Sequence, residues 1–191
     1  MKSLIYRNGW IYETSIKLMH GNGRYEFMGQ LIGNGKRVLE LGCGTGLLQK
    51  CIQKESSYRG VDLNSALVNY GRKRGRNCFL GDMNTAPLSC DVVVLIDVLH
   101  HIPNPDDFLK RIVTQRETIV CEPYDTNRTK YEKIDNCLIR FLFSDDDGIN
   151  ETRDNWFDKG GLIEFFKSCG ECDLFEFNKD IIGWYKRPGI H

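Results

Sequence analysis

The stretch Arg37-Val38-Leu39-Glu40-Leu41-Gly42-Cys43-Gly44-Thr45-Gly46 decides how the rest of this chain is read. Arg37–Leu41 reads as a buried strand. The glycines at alternate positions form a tight turn, and Leu47, Leu48, Cys51 and Ile52 follow at helical spacing, which predicts a helix behind the turn. Such a loop bends sharply and lets another group approach the backbone where no Cβ stands in the way. Between a strand and a helix it suits a nucleotide-type ligand. Dinucleotide folds place a pyrophosphate there and space their glycines G-x-G-x-x-G. Here position 47 is Leu, the third glycine comes one residue early, and Glu40 stands two residues before the loop. A carboxylate beside a pyrophosphate is unfavourable, whereas beside a sulfonium or an ammonium it is favourable. The loop therefore suits a cationic nucleoside better than a phosphate ester.

Outward from the loop, short apolar runs alternate with helical patterns. Tyr58–Val61 predicts a second strand ending at Asp62. Asn64 or Ser65 can cap a helix carrying Leu67, Val68 and Tyr70. Asn77–Leu80 and Val92–Ile96 predict a third and a fourth strand, the latter apolar on both faces as a central parallel strand should be. Asn104-Pro105 opens a helix with Phe108, Leu109, Ile112 and Val113, and Thr118–Cys121 predicts a fifth strand. This rhythm implies an α/β fold, a parallel sheet with helices on both faces. Residues 10–32 are expected to form one or two helices against the sheet or across its mouth. Tyr131, Ile134, Leu138, Ile139 and Leu142 mark a helical stretch before the acidic turn Asp145–Gly148, and Leu162, Ile163, Phe165 and Phe166 mark a short helix. Cys172–Phe177 and Ile181–Tyr185 read as an antiparallel pair at the sheet edge.

The 191 residues suit one domain, with an N-terminal helical cap (1–35), a ligand-binding core (36–123) and a C-terminal part (124–191). Lys plus Arg and Asp plus Glu are 26 each, which argues against general coating of nucleic acid or anionic membrane. No apolar run approaches the ~20 residues of a membrane span, and the N-terminal apolar run is too short for a signal peptide. Most of the eight cysteines lie in apolar segments, so a reduced, cytoplasmic setting is expected. Cys169-x-x-Cys172 lacks the second pair that a four-thiolate zinc site needs, which leaves two core thiols. Arg72-Lys73-Arg74-Gly75-Arg76 ends a helix, where cations complement the dipole, and reads as a solvated face.

Val38–Gly46 resembles the first motif of class I S-adenosylmethionine-dependent methyltransferases, of the type 11 kind. The resemblance continues in order through Gly60-Val-Asp-Leu-Asn64, Gly81-Asp-Met83, Asp91–Ile102 and Ile119-Val-Cys-Glu-Pro123, and so covers roughly residues 36–123. Thr114–Glu117 departs from the family's Lys-Pro-Gly-Gly turn. The resemblance implies a Rossmann-like, doubly wound, mostly parallel seven-stranded sheet with an antiparallel edge strand, and S-adenosylmethionine as cofactor with S-adenosylhomocysteine as product. It implies that Glu40, Gly42, Cys43 and Gly44 border the methionine part. Asp62 would hold both ribose hydroxyls, with Leu63 beside it. Asp82 would accept from the adenine amino group and the Met83 amide would reach the ring edge. The Asp97 carbonyl would face the methionine ammonium. Arg24, sixteen residues before Glu40, resembles the arginine that relatives place near the cofactor carboxylate, although a surface helix charge fits equally well.

Methyl transfer from a sulfonium needs an aligned nucleophile and exclusion of water, with a base only if the acceptor arrives protonated. His101 sits where relatives often carry a histidine, and it is the candidate base or substrate contact. Asp97, His100 and His101 fall at i, i+3, i+4, where quinone O-methyltransferases hold magnesium. His100 replaces a hard oxygen ligand there, so no metal is expected. Tyr6, Trp10, Tyr12 and Phe141–Phe143 are candidate walls for a small or lipid-like methyl acceptor. A non-catalytic cofactor-binding regulatory or partner subunit, and a nicotinamide oxidoreductase, are the alternatives.

Overall fold

The computed structural model describes residues 4–21, 23–124 and 157–187. Its helices are α1 (Leu4–Arg7), α2 (Gly9–His20), α3 (Gly23–Ile32), α4 (Ser65–Arg72), α5 (Pro105–Ile112) and α6 (Lys159–Cys169). Its strands are β1 (Arg37–Leu41), β2 (Ser57–Asp62), β3 (Cys78–Leu80), β4 (Val92–Ile96), β5 (Glu117–Pro123), β6 (Asp173–Phe177) and β7 (Asp180–Lys186). They form one sheet in the order β3-β2-β1-β4-β5-β7-β6. β7 pairs antiparallel with both β5 and β6, so it alone runs against the other strands. The expected Rossmann-like seven-stranded sheet is present. Among the described residues no helix is long and apolar enough to cross a membrane.

The strands follow from their side chains. All five residues of β4 are buried, as befits a strand covered on both faces. On one face Leu39, Leu41, Val93, Leu95 and Val120 pack with Phe108, Leu109 and Ile112 of α5 and Leu162 and Phe166 of α6. On the other, Val38, Val92, Val94, Ile96, Ile119 and Ile182 pack with Met28 and Ile32 of α3. Each such side chain contributes about 1.5–3 kcal/mol on burial. α5 begins at Pro105, the position where a missing N–H is harmless, and carries Asp106 and Asp107 in its first turn and Lys110 and Arg111 in its last. β1 and β4 are neighbours from which the strand order runs outward in opposite directions, so a crevice opens beyond their carboxyl ends.

Three expectations are corrected. The segment after the glycine loop is a 3-10 turn over Leu47–Cys51 rather than an α-helix. A Cβ on Gly29 of α3 would stand 2.1 Å from the Cys51 carbonyl oxygen, so α3 packs directly on the place where that turn ends. The expected pair of helices over residues 10–32 is present as α2 and α3, preceded by the short α1. The basic run is not wholly a solvated face: Arg76 is buried, donating to Glu13 at 2.5 Å and to the Thr45 carbonyl at 2.8 Å, which ties α2 to the glycine loop. Trp10 points away from the protein, 64% exposed, and walls no pocket. The helical stretch around Tyr131–Leu142, the acidic turn at Asp145–Gly148 and Phe141–Phe143 lie outside the described residues.

Candidate active site

The glycine loop sits at the carboxyl end of β1, and its amides are spent inside the protein. Gly42 and Cys43 donate to the Val61 carbonyl at 2.8 and 3.1 Å, Gly46 to the Cys43 carbonyl at 2.8 Å, and Gly44 to Asp62 Oδ2 at 2.7 Å. An anion-binding nest needs free amides, so these four cannot cradle a phosphate. Gly42 and Gly44 have φ of +73° and +54°. A Cβ on Gly42 would lie 2.6 Å from Val98 Cγ2, and one on Gly44 would lie 2.6 Å from the Tyr12 hydroxyl. What comes close to the loop is the protein's own side chains. Tyr12, on α2, lies across the loop. Desolvation, then Tyr25, Asp62, Asp97 and Glu40, push its phenol well above the usual range.

Asp62 ends β2 with its carboxylate held on both oxygens: Oδ2 accepts from Gly44 and Oδ1 from the Asn64 amide at 2.7 Å. Asn64 caps α4 through the amides of Ala66 and Leu67 and donates to the Tyr6 carbonyl at 2.8 Å, fastening α1 beside the site. Leu63 is left 42% exposed one residue beyond Asp62. Asp82 Oδ1 accepts from the backbone and side chain of Asn84 at 2.8 and 2.9 Å, so it also holds its own turn. Met83 packs against the core behind it.

Glu40 is buried and accepts a hydrogen bond from the Tyr58 hydroxyl. Burial pushes its carboxyl up to about 8, against the lowering effect of Tyr58. The attraction for a cation read from the sequence is therefore muted at neutral pH, because the group is then largely protonated. The folded protein keeps a proton here that the unfolded chain releases above its ordinary value. Glu40 thus adds stability at low pH that is lost as pH rises toward 8. We expect thermal melts of the wild type to lose stability relative to Glu40→Gln between pH 5 and pH 8, by up to about 1.4 kcal/mol per pH unit. Parallel pH profiles for the two proteins would show that Glu40 is ionised throughout.

Near the carboxyl ends of the strands lies a charged cluster. Arg24 is fully buried rather than a surface charge. Its Nη1 meets His20 Nδ1 at 3.1 Å and donates to Asp180 Oδ1 at 3.5 Å, and its Nη2 lies 3.6 Å from Asp97 Oδ2. Burial works against its charge, but Asp97, Tyr25, Cys121 and Asp180 together keep it firmly protonated. Burial pushes Asp180 up to about 6 against the pull of Arg24. Asp97 has φ of +61°, a left-handed conformation that is strained for a residue with a Cβ. Such strain is a recurrent mark of functional sites.

Beyond Asp97, a 3-10 turn spans Leu99–His101. Glu122, at the end of β5, holds it: Oε1 accepts from the Val98 and Leu99 amides at 2.5 and 2.6 Å, and Oε2 lies 2.9 Å from His100 Nδ1. The sequence reading assigned Glu122 no role. A carboxylate at the carboxyl end of a strand next to the crevice was the signal available. Among the described residues, Asp97, His100 and Glu122 have ligand atoms near enough to share a metal. This set differs from the sequence candidates, with Glu122 in place of His101. Its oxygens are committed to two amides and an imidazole, so a cation would have to displace them. The donors fit a turn anchor better than a metal centre. His101 is half-buried, its ring 4.1 Å from that of His100.

Residues 39–115 match the family model described as a methyltransferase domain. The mitochondrial ubiquinone biosynthesis O-methyltransferase of Schizosaccharomyces pombe is 26% identical over 119 residues, which cover 52% of this chain and 43% of that protein. The chain thus spans under half the length of this relative. Among solved structures, a SAM-dependent methyltransferase of Aquifex aeolicus superposes with a TM-score of 0.59 at 17% identity, covering 90% of this chain and 96% of that one. The magnesium protoporphyrin IX methyltransferase of Synechocystis, solved with bound SAH, gives 0.57 at 16% identity, covering 85% and 80%. At these identities the likeness is one of fold.

Proposed function

We propose that the chain, whose residues 39–115 match a methyltransferase-domain model, is a class I S-adenosylmethionine-dependent methyltransferase that transfers the methyl group of that cofactor to a small or lipid-like acceptor. The observation that carries the reading is a pair of groups near the carboxyl ends of the strands, one anionic and one cationic. The anionic group is Asp62, pinned on both oxygens. The cationic group is Arg24, fully buried, with Nε and Nη2 lacking any hydrogen-bond partner beside Asp97. Ribose hydroxyls need a fixed acceptor, and an amino-acid zwitterion needs a guanidinium next to an acceptor. The site offers both and offers no amide nest for phosphate.

In this reading Arg24 takes the carboxylate, the Asp97 carbonyl the ammonium and Asp62 the ribose, while Asp82 and the Met83 amide read the adenine and Leu63 covers its ring. Gly42, Cys43, Gly44 and Glu40 form the floor. When bound, the cofactor supplies an electrophilic methyl group and a good neutral leaving group. The chain's own task is to align the acceptor and exclude water, for which Tyr12 and Tyr6, with rings 6.0 Å apart, form one wall. His101 would accept the acceptor's proton. The name of the Schizosaccharomyces pombe relative supports an oxygen on a lipid-like aromatic as the methylated atom.

The test is calorimetry with S-adenosylhomocysteine, followed by transfer of labelled methyl groups to hydroxylated aromatics with and without alkyl tails. Binding with turnover on that panel is expected. Binding with no turnover would favour a non-catalytic subunit, and no binding would sink the reading. In the same assay Asp62→Ala is expected to weaken S-adenosylhomocysteine by about 1.5–3 kcal/mol, roughly 10- to 150-fold. A folded variant with native affinity would remove Asp62 from the site.

A further inference from the structure

Arg37, on β1, shows how a guanidinium of this protein grips a carboxylate. Its Nε and Nη2 donate to the two oxygens of Asp91, each at 3.1 Å, along one edge of the fork. The same edge of Arg24, Nε and Nη2, is buried and has no hydrogen-bond partner. The opposite side is occupied. Nη1 meets His20 Nδ1 at 3.1 Å and donates to Asp180 Oδ1 at 3.5 Å. His20 and Asp180 also approach each other, at 3.8 Å, and His20 Nε2 lies 3.6 Å from Asp97 Oδ2. Two groups from distant parts of the chain therefore hold one end of a buried fork and leave its carboxylate-binding edge toward Asp97.

We infer that Asp180, with His20, is a positioning residue that pins Arg24 by Nη1 and thereby presents the Nε–Nη2 edge to the carboxylate of the methyl donor. The inference rests on the function proposed above. Asp180 reaches this place through topology. As the first residue of β7, the one strand that runs backward, it pairs with Pro123 at the carboxyl end of β5 and so stands at the crevice rather than at the opposite rim. It is 2% exposed. Its charged surroundings are Arg24 and His20 from the N-terminal helices, Asp97 beyond β4 and Glu122 on β5. Arg24 is the one guanidinium in that set. Without a fixed anion on Nη1 the guanidinium, whose Nη2 already lies 3.6 Å from Asp97 Oδ2, would close on Asp97 and lose that edge. An arginine fork recognises a carboxylate only in a fixed orientation.

The test uses two ligands that differ in the amino-acid tail, whose carboxylate Arg24 would take and whose ammonium the Asp97 carbonyl would take. S-adenosylhomocysteine carries the amino-acid tail, whereas 5′-methylthioadenosine keeps the adenosine and the thioether without it. Calorimetry on the full chain is expected to show both bound by the wild type. Asp180→Asn should bind S-adenosylhomocysteine about tenfold more weakly, with 5′-methylthioadenosine unchanged. Arg24→Gln should show the same split, and adding Asp180→Asn to it should weaken binding no further. Unchanged S-adenosylhomocysteine affinity in Asp180→Asn, or an equal loss of both ligands in a protein that still melts cooperatively, would overturn the role of Asp180. If Asp180→Asn does not fold, His20→Ala decides: the same split supports the assignment and its absence overturns it. A wild type that binds neither ligand overturns the methyl-donor reading itself, and this inference with it.

Discussion

Gly44→Val is expected to abolish measurable S-adenosylhomocysteine binding, a loss beyond about 100-fold. Two independent obstacles meet at this residue. Its φ of +54° lies in the left-handed region, which is strained for a β-branched side chain by roughly 1–3 kcal/mol. A Cβ there would also stand 2.6 Å from the hydroxyl oxygen of Tyr12 and 3.0 Å from its ring edge, well inside contact distance. The backbone must move, and its amide is the one bonded to Asp62 at 2.7 Å, so the displacement reaches the Asp62 carboxylate directly. Unlike Asp180→Asn, this change should remove 5′-methylthioadenosine as well. If the clash with Tyr12 is the larger obstacle, Tyr12→Ala in the same chain should recover part of the affinity. Native affinity in a folded Gly44→Val protein would remove the loop from the cofactor site.

The largest effect on turnover is expected at His101. Its neighbour His100 is buried and committed to Glu122, whereas His101, on the turn that follows Asp97, is half-buried. His101→Ala should lower turnover on a hydroxylated aromatic acceptor by on the order of 10²–10⁴, the usual contribution of a positioned base. S-adenosylhomocysteine affinity should stay nearly intact. A variant with equal turnover would show that alignment and desolvation suffice. Glu122→Gln separates turn from base. By weakening the anchor of the Val98 and Leu99 amides, it should disturb Asp97 and cofactor binding too, which His101→Ala should not.

The strands, the glycine loop and the crevice were legible in the sequence because each is local. β4 declares itself by five apolar residues in a row, and Gly42, Gly44 and Gly46 declare a turn because left-handed backbone favours glycine. Asp62 ends a strand and Asp82 and Asp97 each follow one, so their place at the carboxyl edge was implied once the strands were parallel. Where length alone distinguishes two states the local signal failed. Leu47–Cys51 has helical spacing but only room for a 3-10 turn before it meets α3. Trp10 shows the limit of composition, since an aromatic residue on an amphipathic helix can face either way.

The electrostatics were decided by tertiary structure. Glu40 is an acid in the sequence, but under the loop and against Tyr58 it is largely neutral, because burial disfavours the charged form. Arg24 could have been a surface charge until α3 docked on the sheet and its first turn met Asp97 and Asp180. Asp180 carries no mark in the sequence that separates it from other acidic residues, and Glu122 carries only its place at the end of a strand. Glu122 acts on a turn more than twenty residues earlier, and Asp180 on an arginine 156 residues earlier, through the reversed direction of β7. Periodicity determines which residues form strands and which face is apolar. Only the order and direction of those strands decide which charges meet once water is excluded, and therefore which arginine edge is left open.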